Sequence, residues 1–114
     1  MRIEINYLNK KITVSVKQIG FLSRGLGLMF KSKNTENLLF SFDKDVSIII
    51  TSFFCFFSFL VIWLDKNNHV IDFKLVRPFH LSIRPKKNFR KFVEIPLNSR
   101  NKEFIELFVD KEKI

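Results

Sequence analysis

The chain begins with strict alternation. Ile3, Ile5 and Tyr7 interleave with Arg2, Glu4 and Asn6, and Ile12, Val14 and Val16 interleave with Thr13, Ser15 and Lys17. A period of two belongs to a strand with one face in a core and one in water. With Leu8-Asn9-Lys10-Lys11 as the turn, these residues predict a first hairpin, which Gly20 closes. Ser23 then caps a helix of about two turns towards Phe30, with Leu22, Leu26 and Met29 on one face. Gly25 and Gly27 each cost that helix up to about 1 kcal/mol, so close packing on a sheet is the expected return. After the polar residues 31–37, Leu38, Phe40 and Phe42 predict a third strand, ended by the turn Asp43-Lys44-Asp45.

The pattern breaks at Val46 to Leu64, nineteen residues without a charge and with five phenylalanines between Phe53 and Phe59. About 20 apolar residues suffice for a membrane-spanning helix, so a membrane-attached protein is one reading of this stretch. The residue types argue for sheet instead. Val46, Ile48, Ile49, Ile50, Thr51, Val61 and Ile62 are β-branched, and the aromatics between them are strand formers too. Ser47, Thr51, Ser52 and Ser58 interrupt the run where bends or strand ends belong, so strands are predicted near Ser47 to Thr51 and near Leu60 to Leu64. Asp65-Lys66-Asn67-Asn68 is a turn cluster, and Ile71, Phe73 and Leu75 alternate with Asp72 and Lys74 beyond it, which makes Leu60 to Leu64 and Val70 to Val76 a second hairpin.

Arg77-Pro78 and Arg84-Pro85 stop regular structure, because residues before proline avoid the helical region. His80 to Ile83 is a short extended piece between them. Phe89 to Ile95 predicts another strand, ended by Pro96, and Lys102 to Val109 fits either a helix or a last strand. The sum is a mainly β domain over residues 1–114, a compact β-barrel or sandwich of seven to eight strands with one or two short helices.

Composition adds little to that outline. The chain is 46% hydrophobic and 27% charged, within the range of globular proteins. Residues 1–20 hold no signal-peptide core, and the one cysteine, Cys55, is read as a buried free thiol, so a cytoplasmic location is expected. Charge changes the picture more. The net charge is +9, and from Lys66 to Lys102 ten Lys or Arg face only Asp72 and Glu94. Such a half attracts polyanions without specifying which.

Taken together, Arg24-Gly25-Leu26-Gly27-Leu28-Met29-Phe30, Leu39-Phe40-Ser41-Phe42, the block Thr51 to Asp65, and Phe92-Val93-Glu94-Ile95-Pro96 resemble the DUF192 family of small bacterial and archaeal proteins. The similarity runs over about residues 2–110. The resemblance implies a compact β-barrel or sandwich with a short helix after the first hairpin, and it supplies no activity. The chain departs from the family's central block. Thr51 stands where the family tends to place His, Cys55-Phe56 where it places Met-Arg, Ser58 where it places Pro, and Leu60 where it places Asp. A function carried by those groups in relatives is expected to be lost or altered here.

No carboxylate pair, HExxH, CxxC or facial-triad spacing is present, and His69 and His80 stand apart, so neither metal nor cofactor is expected and most kinds of enzyme are disfavoured. The glycines do not make a phosphate loop, since Gly25 is followed by Leu26 instead of Lys. Two binding readings remain. Arg24 beside glycine, and Arg77 and Arg84 held before prolines, offer rigid guanidinium forks for a small anionic ligand or a protein partner. Glu94, in an apolar run, joins that set as a group needing a partner such as Arg24 or Arg84. The alternative is nucleic-acid or anionic-surface binding through 84–91, where Lys86, Lys87, Arg90 and Lys91 surround Phe89 as a stacking ring. Exposed rings among Phe53 to Phe59 would add partner binding or a homodimer.

Overall fold

A computed structural model describes residues 1–19, 31–50, 52, 55–80 and 82–114. The predicted helix from Ser23 to Phe30, with Arg24, Gly25 and Gly27, lies outside the described residues.

Among the described residues there are seven strands and one short α-helix in two sheets. Strands β1 (Arg2–Tyr7) and β2 (Lys10–Ser15) form the predicted first hairpin, with Ile3 opposite Val14 and Ile5 opposite Ile12. Its turn is tight because Leu8 and Asn9 both adopt positive φ, 50° and 63°. That combination matches the right-handed twist of the two strands. The second sheet has the order β3-β4-β7-β5-β6, from β3 (Lys17–Gln18), β4 (Leu38–Val46), β5 (Phe59–Leu64), β6 (Val70–Val76) and β7 (Phe89–Pro96). The β5–β6 hairpin falls where the alternation placed it.

The barrel alternative is overturned. The outer strands β3 and β6 do not pair with each other, so the five-stranded sheet is open, and the β1–β2 layer packs on one of its faces. Two sheets with a core between them is the sandwich arrangement.

Burial explains the last part of the uncharged stretch, Phe59 to Leu64. β5 lies between β6 and β7, and all six of its residues are buried. Leu60, Ile62 and Leu64 face Ile3, Ile5, Val14, Val16, Val93 and Ile95 beneath the hairpin. Phe59, Val61 and Trp63 face the opposite way, into a core with Phe40, Cys55, Phe57, Phe89 and Phe92. A strand covered on both faces has no polar side to show, which is why it reads like a membrane span. No helix among the described residues is long and apolar enough to cross a membrane.

Two further expectations are corrected and one open choice is resolved. Asp43-Lys44-Asp45 is no turn: β4 runs on through it to Val46, with a register shift against β7 after Ser41. Of the strand expected near Ser47 to Thr51, the described part, residues 47–50, is not a strand, although Ile50 makes an isolated antiparallel bridge with Ile83. The C-terminal segment resolves as helix α1 (Lys102–Glu106), whose Ile105 plugs the hairpin-side core. Tyr7 stacks on Phe108 at 4.5 Å and meets Phe73 edge-on at 5.8 Å, so the residues after α1 tie hairpin to sheet.

Candidate functional site

The second face of the sheet is covered by irregular backbone at 47–50, 52 and 55–58 and at 77–80 and 82–88, laced together by hydrogen bonds. Ile50 and Ile83 exchange both N–H to carbonyl bonds, at 3.0 and 2.8 Å. Buried Ser52 is the central clasp. Its N–H donates to His80 O at 2.8 Å, its carbonyl accepts from Phe79 N at 3.0 Å, and its hydroxyl donates to Arg77 O at 2.8 Å while accepting from His80 N at 2.7 Å. Further along, Lys74 Nζ donates to Arg84 O, and Asp72 Oδ2 accepts from Lys86 N at 3.0 Å. The cover loop is thereby fixed to the edge strand β6.

What this clasp holds outward is a pair of rings. Phe56 is 62% exposed and Phe79 53% exposed, and the two meet edge-to-face with centroids 5.5 Å apart. Phe79 has φ of 66°, a left-handed conformation that a bulky side chain adopts only when its surroundings impose it. Ile48 and Ile49, next to the Ile50 bridge, are also exposed. Phe56 belongs to the Phe53 to Phe59 run whose rings, if exposed, were expected to add partner binding or a homodimer, whereas Phe79 was not singled out by sequence reasoning. The available signal was the order Arg77-Pro78-Phe79-His80, an aromatic residue set into a basic, proline-stiffened loop.

The predicted arginine set is only partly assembled. Arg77 and Arg84 both lie exposed on the cover loop, and neither belongs to an ion pair among the described residues. Arg24 lies outside the described residues. Glu94 is elsewhere: it sits on β7 between Leu38 and Val61, 4% exposed, with no hydrogen-bond partner for its Oε1. The expected Arg84–Glu94 pair does not form, because one group is in water and the other inside the sheet core. Burial pushes the Glu94 carboxyl up to about 8, so it is protonated at neutral pH. Burial likewise raises the Cys55 thiol, with a smaller push from Glu94 once that carboxyl is ionised.

The basic run is dispersed as well. Phe89 is fully buried among Phe42, Trp63 and Phe92, so it cannot stack on a base. Arg90 bonds Asp45 at 3.2 Å and Lys91 bonds Asn68 at 2.7 Å, which leaves Lys86 and Lys87 exposed in their turn. No cluster of three potential metal ligands occurs among the described residues. An open groove of about 580 Å³ lies at the hairpin tips, lined by residues including Tyr7, Leu8, Lys10, Lys11 and His69. Two of its side chains are already engaged, since Lys11 Nζ lies 3.7 Å from Glu4 and His69 Nδ1 lies 3.4 Å from Asp65.

No protein-family model matches the chain, and no curated protein sequence does. The resemblance to DUF192 is therefore not upheld as an assignment; what stands is likeness at the level of fold. A protein of unknown function from Novosphingobium aromaticivorans DSM 12444 superposes with a TM-score of 0.72 at 10% identity, over 90% of this chain and 76% of that one. A "putative transcription regulator" from Sinorhizobium meliloti 1021 superposes with a TM-score of 0.71 at 13% identity, over 90% and 82%. At such identities the likeness defines the chain as a two-sheet β domain of this architecture and carries no function with it.

Proposed function

We propose that the chain is a non-enzymatic binding domain that docks a protein partner on the loop edge formed by residues 55–57 and 77–80. One observation carries the reading: Phe56 and Phe79 are both more than half exposed while the loop beneath them is clamped by Ser52. Isolated surface hydrophobics are ordinary, but paired aromatics on a fixed backbone lose little entropy on binding and serve as anchors. The strain at Phe79 supports the same reading, since the chain tolerates a left-handed phenylalanine to present the ring outward. We place this activity in the cytoplasm, where a reduced Cys55 is at home.

The test is site-specific photo-crosslinking in the cells that make the protein. Benzoylphenylalanine at position 56 or 79 is expected to trap the same discrete partner, and the same probe at exposed Lys10 is not. Absence of adducts at both loop positions, or an identical pattern from Lys10, would sink the proposal.

A further inference from the structure

Resting on that docking reading, we infer that the partner presents an acidic segment carrying large apolar side chains, the apolar groups seating against Phe56 and Phe79 and the carboxylates against Arg77 and Arg84. Charge complementarity carries the argument. From Phe73 to Val93 the chain has seven Lys or Arg and no Asp or Glu, while the whole run around Phe56, from Val46 to Leu64, is uncharged. The surface is thus an apolar centre with a basic border on the side of the cover loop, where the one carboxylate held against the loop is Asp72 at Lys86 N among the described residues. Three of the seven cations already have partners: Lys74 bonds Arg84 O, Arg90 bonds Asp45 and Lys91 bonds Asn68. Arg77, Arg84, Lys86 and Lys87 are exposed and outside any ion pair among the described residues. Exposed Arg77 and Arg84 on the same loop as Phe79, with Lys86 and Lys87 farther along it beside Asp72, favour an anionic, apolar-anchored partner, with the charges setting encounter rate and the rings setting residence time.

Two other occupants fit less well. A second copy would bring one basic border against another, on a chain of net charge +9. Single-stranded nucleic acid needs ring faces offered to successive bases, but Phe56 and Phe79 lie at 74° to each other, and Phe89 is inside the core.

The experiment titrates the isotope-labelled full chain with three probes: an acidic peptide containing Leu and Phe, the same peptide with Ser at those positions, and oligo-dT. Sedimentation velocity on the protein alone accompanies it. The first peptide is expected to shift the amides of 55–57 and 77–80 saturably, with affinity reduced at least tenfold by Phe56→Ser. Arg77→Gln with Arg84→Gln is expected to weaken it several-fold and flatten its salt dependence. Equal binding of the Ser peptide, tighter binding of oligo-dT at the same amides, or self-association through the rings overturns the inference. If crosslinks at Phe56 trap a partner while the acidic peptide leaves these amides unmoved, the docking surface stands and its acidic preference falls.

Discussion

Asn101 Nδ2 donates to Asn37 Oδ1 at 2.8 Å in a buried position between the start of α1 and the entry to β4. The same amide nitrogen donates to Pro96 O at 2.9 Å, and Asn37 Nδ2 donates to Ser15 O at 2.9 Å. Asn98 completes the cluster, accepting from Asn101 N at 2.8 Å and donating to Lys33 O at 2.8 Å. Three separate parts of the chain, Ser15, residues 33–37 and residues 96–101, are thus joined by three amide side chains, and Asn101 makes no side-chain capping bond to α1, its backbone at the cap being helical (φ −98°, ψ −5°) where a capping side chain wants an extended one. Replacing Asn101 by Ala leaves buried acceptors unmatched, each worth about 1–3 kcal/mol. Chemical denaturation is expected to show a loss of about 2–4 kcal/mol for Asn101→Ala, and Asn101→Asp is expected to be at least as damaging. A loss below about 0.5 kcal/mol, the usual effect of a surface change, would mean that water replaces the network freely.

Glu94 governs a second prediction, through proton linkage. Its folded value of about 8 lies above the ordinary 4.5, so between those two pH values the folded chain holds a proton that the unfolded chain has released. Stability from this group is therefore full below about pH 4.5 and declines as pH rises towards 8, with a limiting slope of about 1.4 kcal/mol per pH unit. Asp65 acts in the opposite sense and lower down. Burial opposes its ionisation, but the N–H groups of His69 and Asn67 outweigh that and lower its value. Glu94→Gln is expected to abolish the decline above pH 5 and to be the more stable protein at pH 8. Parallel melting profiles of the two proteins from pH 5 to 8 would refute the assignment.

Phe79→Gly separates docking from folding. Glycine adopts positive φ freely, and the strain it relieves is of the same order, about 1 kcal/mol, as the entropy it adds to the unfolded chain. Stability is expected to change by less than about 1 kcal/mol, while trapping of a partner from position 56 is lost. A fall beyond about 2 kcal/mol would make the ring a structural member of the cover loop.

The first hairpin and strand β6 were legible because each has a wet face, so polar and apolar residues alternate. The strand β5 was legible in place but ambiguous in kind, since burial on both faces erases alternation. Asp43-Lys44-Asp45 misled because its three residues are exposed within β4, where polar side chains face water and still keep a strand. The stretch from Ser47 to Ile50 misled for the converse reason. Its β-branched residues favour a strand, but both sides of β7 are already taken by β4 and β5, and only Ile50 finds a bridge. At the candidate site, Arg77 and Arg84 could be picked out by their prolines, and the basic turn by its charge. The exposed rings could not. Nothing in Phe53 to Phe59 says which ring turns out, and a left-handed Phe79 is a property of the Ser52 clasp, assembled from residues 25 to 28 positions apart.

The order of the five-stranded sheet also fixes when the chain can hide its stickiest part. β5 gains its first neighbour, β6, within a dozen residues, but its other flank waits for β7, which is not finished until Pro96. A ribosome that stalls before Phe89 therefore displays an uncapped, wholly apolar strand edge, the kind of surface that chaperones engage and that seeds aggregation. In this fold the risk of nascent-chain clumping is set by the interval between two segments of the message, and shortening that interval by circular permutation would lower it.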